Sequence, residues 1–275
     1  MNTPAFPPRT FALLGNPVAH SLSPVFQNAA FRAAGIQATY IAHRCETGEV
    51  ALCMRELVGG GGGGNVTVPH KTTAAAVVER ATEDLELTGA CNTFWLEQDR
   101  LCGDNTDVYG FRTALTTLAG DVKGARVLLL GAGGAARAAA LGLAQLGVPA
   151  VAVWNRTRDR FEELRAQSAS FIDLQPHDPG ARFDIVINAT SLGLHGNAMP
   201  PVEAAGTGAT HALDLVYRVG GTPWITAAAA AGLNAADGLE MLLYQGARAF
   251  ERWFGRPAPI DIMRAALLQA AARTA

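Results

Sequence analysis

A chain of 275 residues, 49% of them hydrophobic, can build one large domain or two of medium size with an ample core. The formal net charge of −2 and the lack of a Lys/Arg run argue against nucleic acid as a partner. No apolar run reaches the roughly 20 residues that span a bilayer, and residues 1–10 lack the apolar core of a signal peptide. We therefore expect a cytoplasmic protein without a membrane partner.

The four cysteines do not suggest a metal site. None forms a C-x-x-C pair, and none has a histidine at zinc-finger spacing. Cys91 and Cys102 could face each other across a hairpin, but in a reducing compartment we expect free thiols. We predict that the protein binds no metal ion.

The first predicted strand, residues 10–15, leads into a helix whose start is marked by Ser23 and Pro24. Serine is a favoured cap, proline is a favoured first helical residue, and Gly35 ends the helix. Ser21 and Ser23 thus place two hydroxyls at a helix N-terminus, which suits a carboxylate ligand. A simple cap would explain Ser23 equally well.

Six consecutive glycines, Gly59–Gly64, follow a second strand (39–43) and a second helix (47–58). The alternation of strand and helix indicates an α/β arrangement. The glycine run has high backbone entropy and no side chains to pack, so it predicts a mobile loop.

The next block, residues 65–71, predicts a short strand and then a helix. Val66 and Val68 alternate with polar neighbours, and Pro69 marks the helix start. Lys71 falls in the first turn, where a positive charge is unfavourable for the helix dipole. It is either a solvated surface lysine or a lysine held in a cleft, where its charge polarises a substrate oxygen.

Residues 93–96 and 101–103 predict a hairpin around a polar turn. Asn92 precedes its first strand and Asp107 follows its second. An apolar helix over 108–118 comes next, so capping of that helix would by itself explain Asp107.

The middle of the chain carries a candidate nucleotide-binding motif. Residues 126–130 predict a buried strand, and Gly131, Gly133 and Ala136 then form G-x-G-x-x-A. The first glycine permits a tight turn, the second lets a pyrophosphate approach, and the small third residue allows close helix–strand packing. The helix that follows stops at Gly147 and directs its positive end at the loop. This strand–loop–helix context favours nucleotide binding over an ordinary glycine turn.

A second strand in this half, residues 150–154, ends without the acidic residue that commonly holds the ribose 2′-hydroxyl of NAD. The chain presents Asn155, Arg156, Thr157 and, further on, Arg160. A guanidinium complements a 2′-phosphate and no carboxylate is there to repel it, so the sequence favours NADP over NAD.

Two further buried strands, 184–188 and 211–215, complete the α/β pattern. They end in polar or small residues, which is where open α/β sheets bind ligands. A loop rich in proline and glycine, residues 193–208, separates them.

Helices are predicted from Pro223, from Gly238 and over 260–272. Met241 and Gln245 lie four residues apart in the second of these, so they share a face. Such a face is either plain packing or the border of a cleft.

Taken in order, nine short blocks resemble the shikimate dehydrogenase family: GNPVAHSLSP, NVTVPHK, GACNT, GDNTD, GAGGAA, NRT, NATSLG, DLVY and GLEMLLYQGA. The resemblance runs from about residue 10 to residue 256, and NVTVPHK with GDNTD is far more specific than the glycine loop. It implies an α/β fold in which a Rossmann-type NADP-binding domain (108–237) is inserted into an α/β substrate-binding domain (1–107 and 238–275), with a cleft between them.

The resemblance also implies which residues form the site. Lys71 and Asp107 would be the catalytic pair. Ser21, Ser23 and Tyr217 would hold the substrate carboxylate. The ring hydroxyls would be held by Thr67, Lys71, Asn92, Asp107 and Gln245. The cofactor-binding set would be Gly131, Ala132, Gly133, Gly134, Ala135, Asn155, Arg156, Thr157, Arg160, Thr190, Leu215, Gly238 and Met241.

The implied reaction is the reversible NADPH-dependent reduction of 3-dehydroshikimate to shikimate, a step of aromatic amino-acid synthesis. We expect a small-molecule substrate and a monomer or homodimer. The alternatives are a quinate/shikimate dehydrogenase with relaxed specificity and a catalytically silent NADP or shikimate sensor.

The chain departs from the family pattern at three places. Gln27 replaces a common histidine, and we expect this change to be peripheral. Glu240 replaces a frequent glycine beside Met241, which could alter the cofactor contact. The glycine run replaces a more ordinary loop, and none of the three departures removes a proposed catalytic group.

Overall fold

The computed structural model describes residues 6–194, 196–218 and 220–273. The chain divides into two compact units. The first combines the segment up to Thr106 with Leu243–Arg273, and the second contains Asp107–Leu242, so the second unit interrupts the first along the chain. No helix within the described ranges is long and apolar enough to cross a membrane.

The first unit is built on a six-stranded mixed sheet. Its strands are β1 (Thr10–Gly15), β2 (Thr39–Arg44), β3 (Gly63–Val66), β4 (Arg80–Ala81), β5 (Thr93–Glu97) and β6 (Arg100–Asp104). They lie in the order β2-β1-β3-β5-β6-β4. β1 pairs in parallel with β2 and β3, whereas β5 is antiparallel to β3 and β6. Its N-terminal helices are α1 (Ser23–Ala33), α2 (Val50–Gly59), α3 (Lys71–Ala75) and α4 (Glu83–Thr88).

The second unit is a parallel, doubly wound α/β sheet. Its strands are β7 (Val127–Leu130), β8 (Ala150–Trp154), β9 (Asp173–Pro176), β10 (Ile185–Asn188), β11 (His211–Asp214) and β12 (Asn234–Ala236). Their order is β12-β11-β10-β7-β8-β9, so the chain switches direction between β7 and β10, where such sheets bind ligands. Its helices are α5 (Thr106–Ala119), α6 (Gly134–Gln145), α7 (Arg158–Ser168) and α8 (Pro223–Ala230). The predicted α/β class with a Rossmann-type sheet is confirmed.

Two helices, α9 (Leu239–Phe254) and α10 (Ile260–Arg273), follow β12. The part of α9 after Leu242 belongs to the first unit, and α10 packs against α1. Aromatic rings join the end of α9 to the first sheet: the Phe11 ring centroid lies 4.9 Å from that of Trp253 and 5.3 Å from that of Phe254. Residues from opposite ends of the chain therefore share one core.

The run of six glycines has a helix end and a strand start at its two ends with a short turn over residues 60–62 between them, so the prediction of a mobile loop over the whole run is wrong. Gly59 ends α2, whereas Gly63 and Gly64 are buried in β3, between β1 and β5. A Cβ on Gly64 would overlap the backbone oxygen of Ala12, and a Cβ on Gly63 would lie 2.8 Å from the backbone oxygen of Phe94. The close approach of neighbouring backbone leaves no room for side chains here, and only glycine fits.

Candidate active site

Asn92 lies at the centre of a buried hydrogen-bond network in the first unit, and only 2% of the residue is exposed. The antiparallel pairing of β5 and β6 lets its backbone N–H donate to the Asp104 carbonyl at 3.0 Å. Its side-chain oxygen accepts from the Thr106 N–H at 2.7 Å and from the Thr93 hydroxyl at 2.9 Å. Asn65 on β3 donates to the Asn92 carbonyl at 3.1 Å. These bonds commit the Asn92 side-chain oxygen to the fold and fix the orientation of the amide.

Lys71 is the first residue of α3, which does not begin at Pro69 as predicted. Pro69 lies in a turn instead, because the His70 N–H donates to the Thr67 carbonyl at 2.9 Å. The Lys71 carbonyl accepts from the Cys91 N–H at 2.9 Å. This bond joins the start of α3 to the segment just before β5, so half-buried Lys71 is tied to the surroundings of the asparagine network.

Thr67 is held where β1 ends. Its N–H donates to the Leu14 carbonyl at 2.8 Å. A Cβ on Gly15 would overlap the Thr67 methyl group and lie 2.8 Å from the Val18 side chain, so glycine at this position makes room for Thr67. The structure thus brings Thr67, Lys71 and the asparagine network onto neighbouring segments of one unit.

The two predicted serines lie at the start of α1, but Ser23 is not its cap. The helix begins at Ser23 with Leu22 in the cap position, and no side chain caps it. The Ser21 hydroxyl oxygen accepts from the Ser23 N–H at 3.2 Å. Ser21 is therefore the local hydrogen-bond acceptor, whereas Ser23, the predicted cap, is itself 5% exposed.

Gln27, expected to be peripheral, is fully buried and connects α1 to α9. Its amide nitrogen donates to the Gly246 carbonyl at 2.8 Å, while its amide oxygen has no hydrogen-bond partner in the described structure. A Cβ on Gly246 would overlap the Phe26 ring, so the two helices touch closely here. Ser23 lies one turn before Gln27 on α1, and buried Gln245 is adjacent to Gly246 on α9. The contact between Gln27 and Gly246 therefore sets the distance between Ser23 and Gln245.

Replacing Gln27 with leucine should lower the free energy of unfolding by about 1–2 kcal/mol, because the Gly246 carbonyl would lose its buried donor. The loss stays at this modest level since the unpartnered amide oxygen disappears as well. Chemical denaturation measures it. The matched control is Gln37→Leu on an exposed position, which should leave stability nearly unchanged. Equal stabilities for the two variants would contradict the proposed role of the Gln27 bond.

Asp104 is a buried carboxylate that the sequence reasoning did not single out. It is 2% exposed and accepts from the Thr82 hydroxyl at 2.5 Å and from Arg252 Nε at 2.7 Å. These bonds fix the end of β6, three residues before Asp107. Asp107 itself is 8% exposed and lies in the first turn of α5, which begins at Thr106, so it is not a cap of that helix. A carboxylate in a first helical turn is favoured by the helix dipole.

The three small residues of the nucleotide motif differ in what they do. Gly131 has φ +108°, its N–H donates to the Trp154 carbonyl at 2.7 Å, and a Cβ there would lie 3.0 Å from the Ala189 backbone. Gly133 has ordinary extended backbone and nothing within 4 Å of an added Cβ, so the space beside it is open. Ala136 is fully buried against the core. Gly131 thus shapes the loop, and Gly133 leaves room for a ligand to contact the backbone of the protein.

The segment after β8 offers one unpaired guanidinium. The Asn155 amide donates to the Thr157 carbonyl at 2.7 Å, which shapes the turn before α7. Arg160 is paired with Glu163 at 3.2 Å. Arg156 is exposed and forms no ion pair with any described residue. Of the two predicted arginines, Arg156 therefore needs to break no ion pair to contact an anionic ligand, whereas Arg160 would have to leave or share Glu163.

Arg137 is a further cation that the sequence reasoning missed. It lies in the first turn of α6, directly beyond the glycine loop, and is half-buried. Burial lowers the pKa of its guanidinium, an effect partly offset by Glu163. A partly desolvated positive charge beside the glycine loop is favourable for an anionic ligand.

The remaining predicted cofactor residues gather at the ends of β10 and β11 in the second unit. The Leu215 N–H donates to the Asn188 carbonyl at 2.8 Å, and half-buried Thr190 lies two residues beyond β10. A Cβ on Gly238 would overlap the Leu215 carbonyl oxygen. Met241 packs into the hydrophobic core of this unit, so core packing explains a methionine at this position of α9. Tyr217, half-buried, follows β11 by three residues.

Four cysteine side chains, Cys45, Cys53, Cys91 and Cys102, are buried free thiols. Burial raises the pKa of the Cys91 thiol to about 12, so it stays protonated at neutral pH. Within the described ranges, no group of three or more His, Cys, Asp or Glu residues could hold a metal ion.

Family models match three parts of the chain. Residues 13–94 match the shikimate dehydrogenase substrate binding domain, residues 113–195 match shikimate / quinate 5-dehydrogenase, and residues 238–268 match the shikimate 5′-dehydrogenase C-terminal domain. A Geobacter sulfurreducens protein named shikimate dehydrogenase (NADP(+)) is 38% identical over 276 residues, which cover 95% of this chain and 96% of the relative.

Two solved structures show the same fold. The shikimate 5-dehydrogenase of Thermus thermophilus in complex with NADP(H) and shikimate is 35% identical, with a TM-score of 0.83 over 95% of this chain and 99% of the other. The ligand-free 5-ketofructose reductase of a Gluconobacter species is 31% identical, with a TM-score of 0.85 over 96% of this chain and 99% of the other. Fold similarity of this kind therefore extends to a reductase of another named substrate.

Proposed function

Because this chain belongs to the shikimate dehydrogenase family, we propose that it catalyses the reversible NADPH-dependent reduction of 3-dehydroshikimate to shikimate. The observation that carries the proposal is the 38% identity to a named NADP-dependent shikimate dehydrogenase over 95% of the chain. The fixed polar network around Asn92 and the open glycine loop are consistent with it.

We assign substrate binding and cofactor binding to different parts of the chain. Residues 1–107 with 238–275 would bind the substrate, and residues 108–237 would bind NADP. Two compact units and the parallel sheet of the second support this assignment, since open parallel sheets bind dinucleotides at their switch point.

Ser21, Ser23 and Tyr217 would hold the substrate carboxylate. The ring hydroxyls would be held by Thr67, Lys71, Asn92, Asp107 and Gln245. The support is chemical: hydroxyls and amides supply directional hydrogen bonds, and several of these side chains are buried enough for such bonds to be selective.

Lys71 and Asp107 would act on the reacting oxygen. When bound, NADPH supplies the hydride. The Lys71 ammonium would stabilise or protonate the oxygen on which negative charge develops. The Asp107 carboxylate would orient that ammonium and accept a hydrogen bond from the substrate hydroxyl.

NADP fits the residues at the end of β7 and β8. Gly131, Ala132, Gly133, Gly134 and Ala135 would cradle the pyrophosphate at the N-terminus of α6, where backbone N–H groups and the helix dipole favour an anion. The 2′-phosphate would be held by Asn155, Arg156, Thr157 and Arg160. Thr190, Leu215, Gly238 and Met241 would border the nicotinamide.

For Arg156→Ala we expect the KM for NADP+ to rise by about 10–100-fold with little change for NAD+, because only NADP+ carries the 2′-phosphate that a charge-assisted bond would hold. Steady-state kinetics with both cofactors measure this. Arg158→Ala is the matched control, since Arg158 is also exposed but lies 3.7 Å from Glu162. Equal effects of Arg156→Ala on both cofactors would rule out a phosphate-clamp role.

The test of the proposed function is an assay of the wild-type chain with shikimate and quinate against NADP+ and NAD+. Efficient oxidation of shikimate with NADP+ but not with NAD+ supports the proposed function. Comparable oxidation of quinate would indicate relaxed substrate specificity. Binding of NADP+ and shikimate without turnover would indicate a sensor. The fold match to a 5-ketofructose reductase adds 5-ketofructose with NADPH as a further substrate to assay, and preferred turnover of it would overturn the proposal.

A further inference from the structure

The carboxylate of Asp214, at the end of β11, is fully buried and has no part in the proposed chemistry. Burial raises its pKa to about 6. Three neutral donors hold it: the Asn188 amide at 2.8 Å, the Val216 N–H at 3.0 Å and the Thr222 hydroxyl at 2.6 Å. Burial of a carboxylate costs free energy even when the group is hydrogen-bonded, so the residues that bind Asp214 indicate what it does.

The pattern of donors and acceptors fixes the orientation of Asn188. An ionised carboxylate only accepts, so Asn188 presents its amide nitrogen to Asp214 and its oxygen to the turn that follows β10. That oxygen accepts from both the N–H of Thr190, at 3.0 Å, and its hydroxyl, at 2.7 Å. The Thr190 hydroxyl oxygen accepts in turn from the Leu192 N–H at 3.1 Å. Asp214 thus sets the conformation of this turn through one fully buried intermediary.

The same carboxylate orders the turn that follows β11. It accepts the Val216 N–H, and the Val216 carbonyl accepts the Gly238 N–H at 3.1 Å. Gly238 lies so close to the Leu215 carbonyl that a Cβ would overlap it. Three segments at one edge of the sheet are therefore connected through a single buried group.

We propose that Asp214 is a positioning residue of the NADP site, which holds Thr190, Leu215 and Gly238 in the arrangement that receives the nicotinamide half of the cofactor. This inference rests on the proposed assignment of those three residues to NADP. Asp214 also supports α8, because it accepts from the Thr222 hydroxyl, whose oxygen caps that helix by accepting from the Ile225 N–H at 3.3 Å. This contact is structural and does not involve Thr190, Leu215 or Gly238.

Titration of the purified full chain with NADP+ separates the two roles. Asp214→Ala removes the acceptor of Asn188 and Val216, and we expect the Kd for NADP+ to rise about tenfold, equivalent to about 1.4 kcal/mol. Asp214→Asn keeps an oxygen towards those donors and can donate to the Thr222 hydroxyl, so its Kd should stay within about threefold of wild type. Thr222→Val removes the hydroxyl that donates to Asp214 and caps α8, but it leaves the bonds from Asn188 and Val216 to Asp214 in place. It should therefore lower stability and leave the Kd within about threefold.

Two results overturn the inference: a folded Asp214→Ala chain that binds NADP+ as tightly as wild type, or a Thr222→Val chain that loses as much affinity as Asp214→Ala. If Asp214→Ala does not fold, Asn188→Ala makes the same test, since it removes the acceptor of Thr190 and leaves Asp214 two of its donors. Wild-type affinity in a folded Asn188→Ala chain also overturns the inference. If the wild-type chain does not bind NADP+, the proposed function and the inference are both refuted. If the wild-type enzyme is active and the variants bind NADP+ with unchanged Kd, only the inference is refuted.

Discussion

Replacing Lys71 with alanine should lower kcat for shikimate oxidation by about 10²–10⁴-fold, the range for losing general acid–base assistance. The expected loss falls on kcat because the ammonium is proposed to meet charge that develops on the reacting oxygen. The KM for NADP+ should change little, since Lys71 is assigned to the substrate. Steady-state kinetics of the purified variant measure both quantities.

The chain contains one other lysine, Lys123, which makes a matched control. Lys123 is exposed in the turn before β7, so Lys123→Ala should leave kcat unchanged. Lys71→Met keeps the aliphatic stem and separates lost charge from lost packing. A Lys71→Ala enzyme with nearly wild-type kcat would remove Lys71 from the mechanism.

The substitution Gly64→Ala should lower the free energy of unfolding by about 3 kcal/mol, the upper part of the range for overpacking a core. An added Cβ would overlap the backbone oxygen of Ala12 and lie 2.9 Å from the Phe94 ring. The Ala12 oxygen cannot move aside without disturbing the parallel pairing of β1 with β3. Chemical denaturation of the variant against wild type measures the loss.

Gly59→Ala provides the control within the same run of glycines. Gly59 ends α2, and no atom lies within 4 Å of an added Cβ. We expect its stability to be unchanged or to rise by about 0.5 kcal/mol, because alanine restricts the unfolded chain more than glycine does. If both variants were equally stable, the tight packing described around Gly64 would be incorrect.

Much of the second unit could be predicted from the sequence because its central strands are apolar runs bounded by clear turn signals. The strand before Gly131, and those that end at Trp154 and Asn188, were located to within one residue. The edge strands β9 and β12 were missed. Asp173–Pro176 and Asn234–Ala236 are short, partly exposed and carry no apolar run, so only their neighbours in the sheet make them strands.

The errors in the first unit share a different cause. Backbone entropy predicted a loop at the glycine run, but contacts with Ala12 and Phe94, distant in sequence, determine its structure. The sequence does not predict the buried role of Gln27, because its partner, the Gly246 carbonyl, lies on a helix near the other end of the chain. The buried role of Asp104 depends on Arg252 in the same way. Local pattern cannot reveal pairings of this kind.

The interrupted first unit also has a consequence for the order of folding during synthesis. The second unit is continuous from Asp107 to Leu242, so all of its strands are available once that stretch has been made. The first sheet is synthesised earlier, yet the ring of Phe11 has no cover from Trp253 and Phe254 until the end of α9 has been made. The segment that is made first is therefore the one whose core is completed last, and a nascent chain that stalls before α9 would expose an aromatic surface to aggregation.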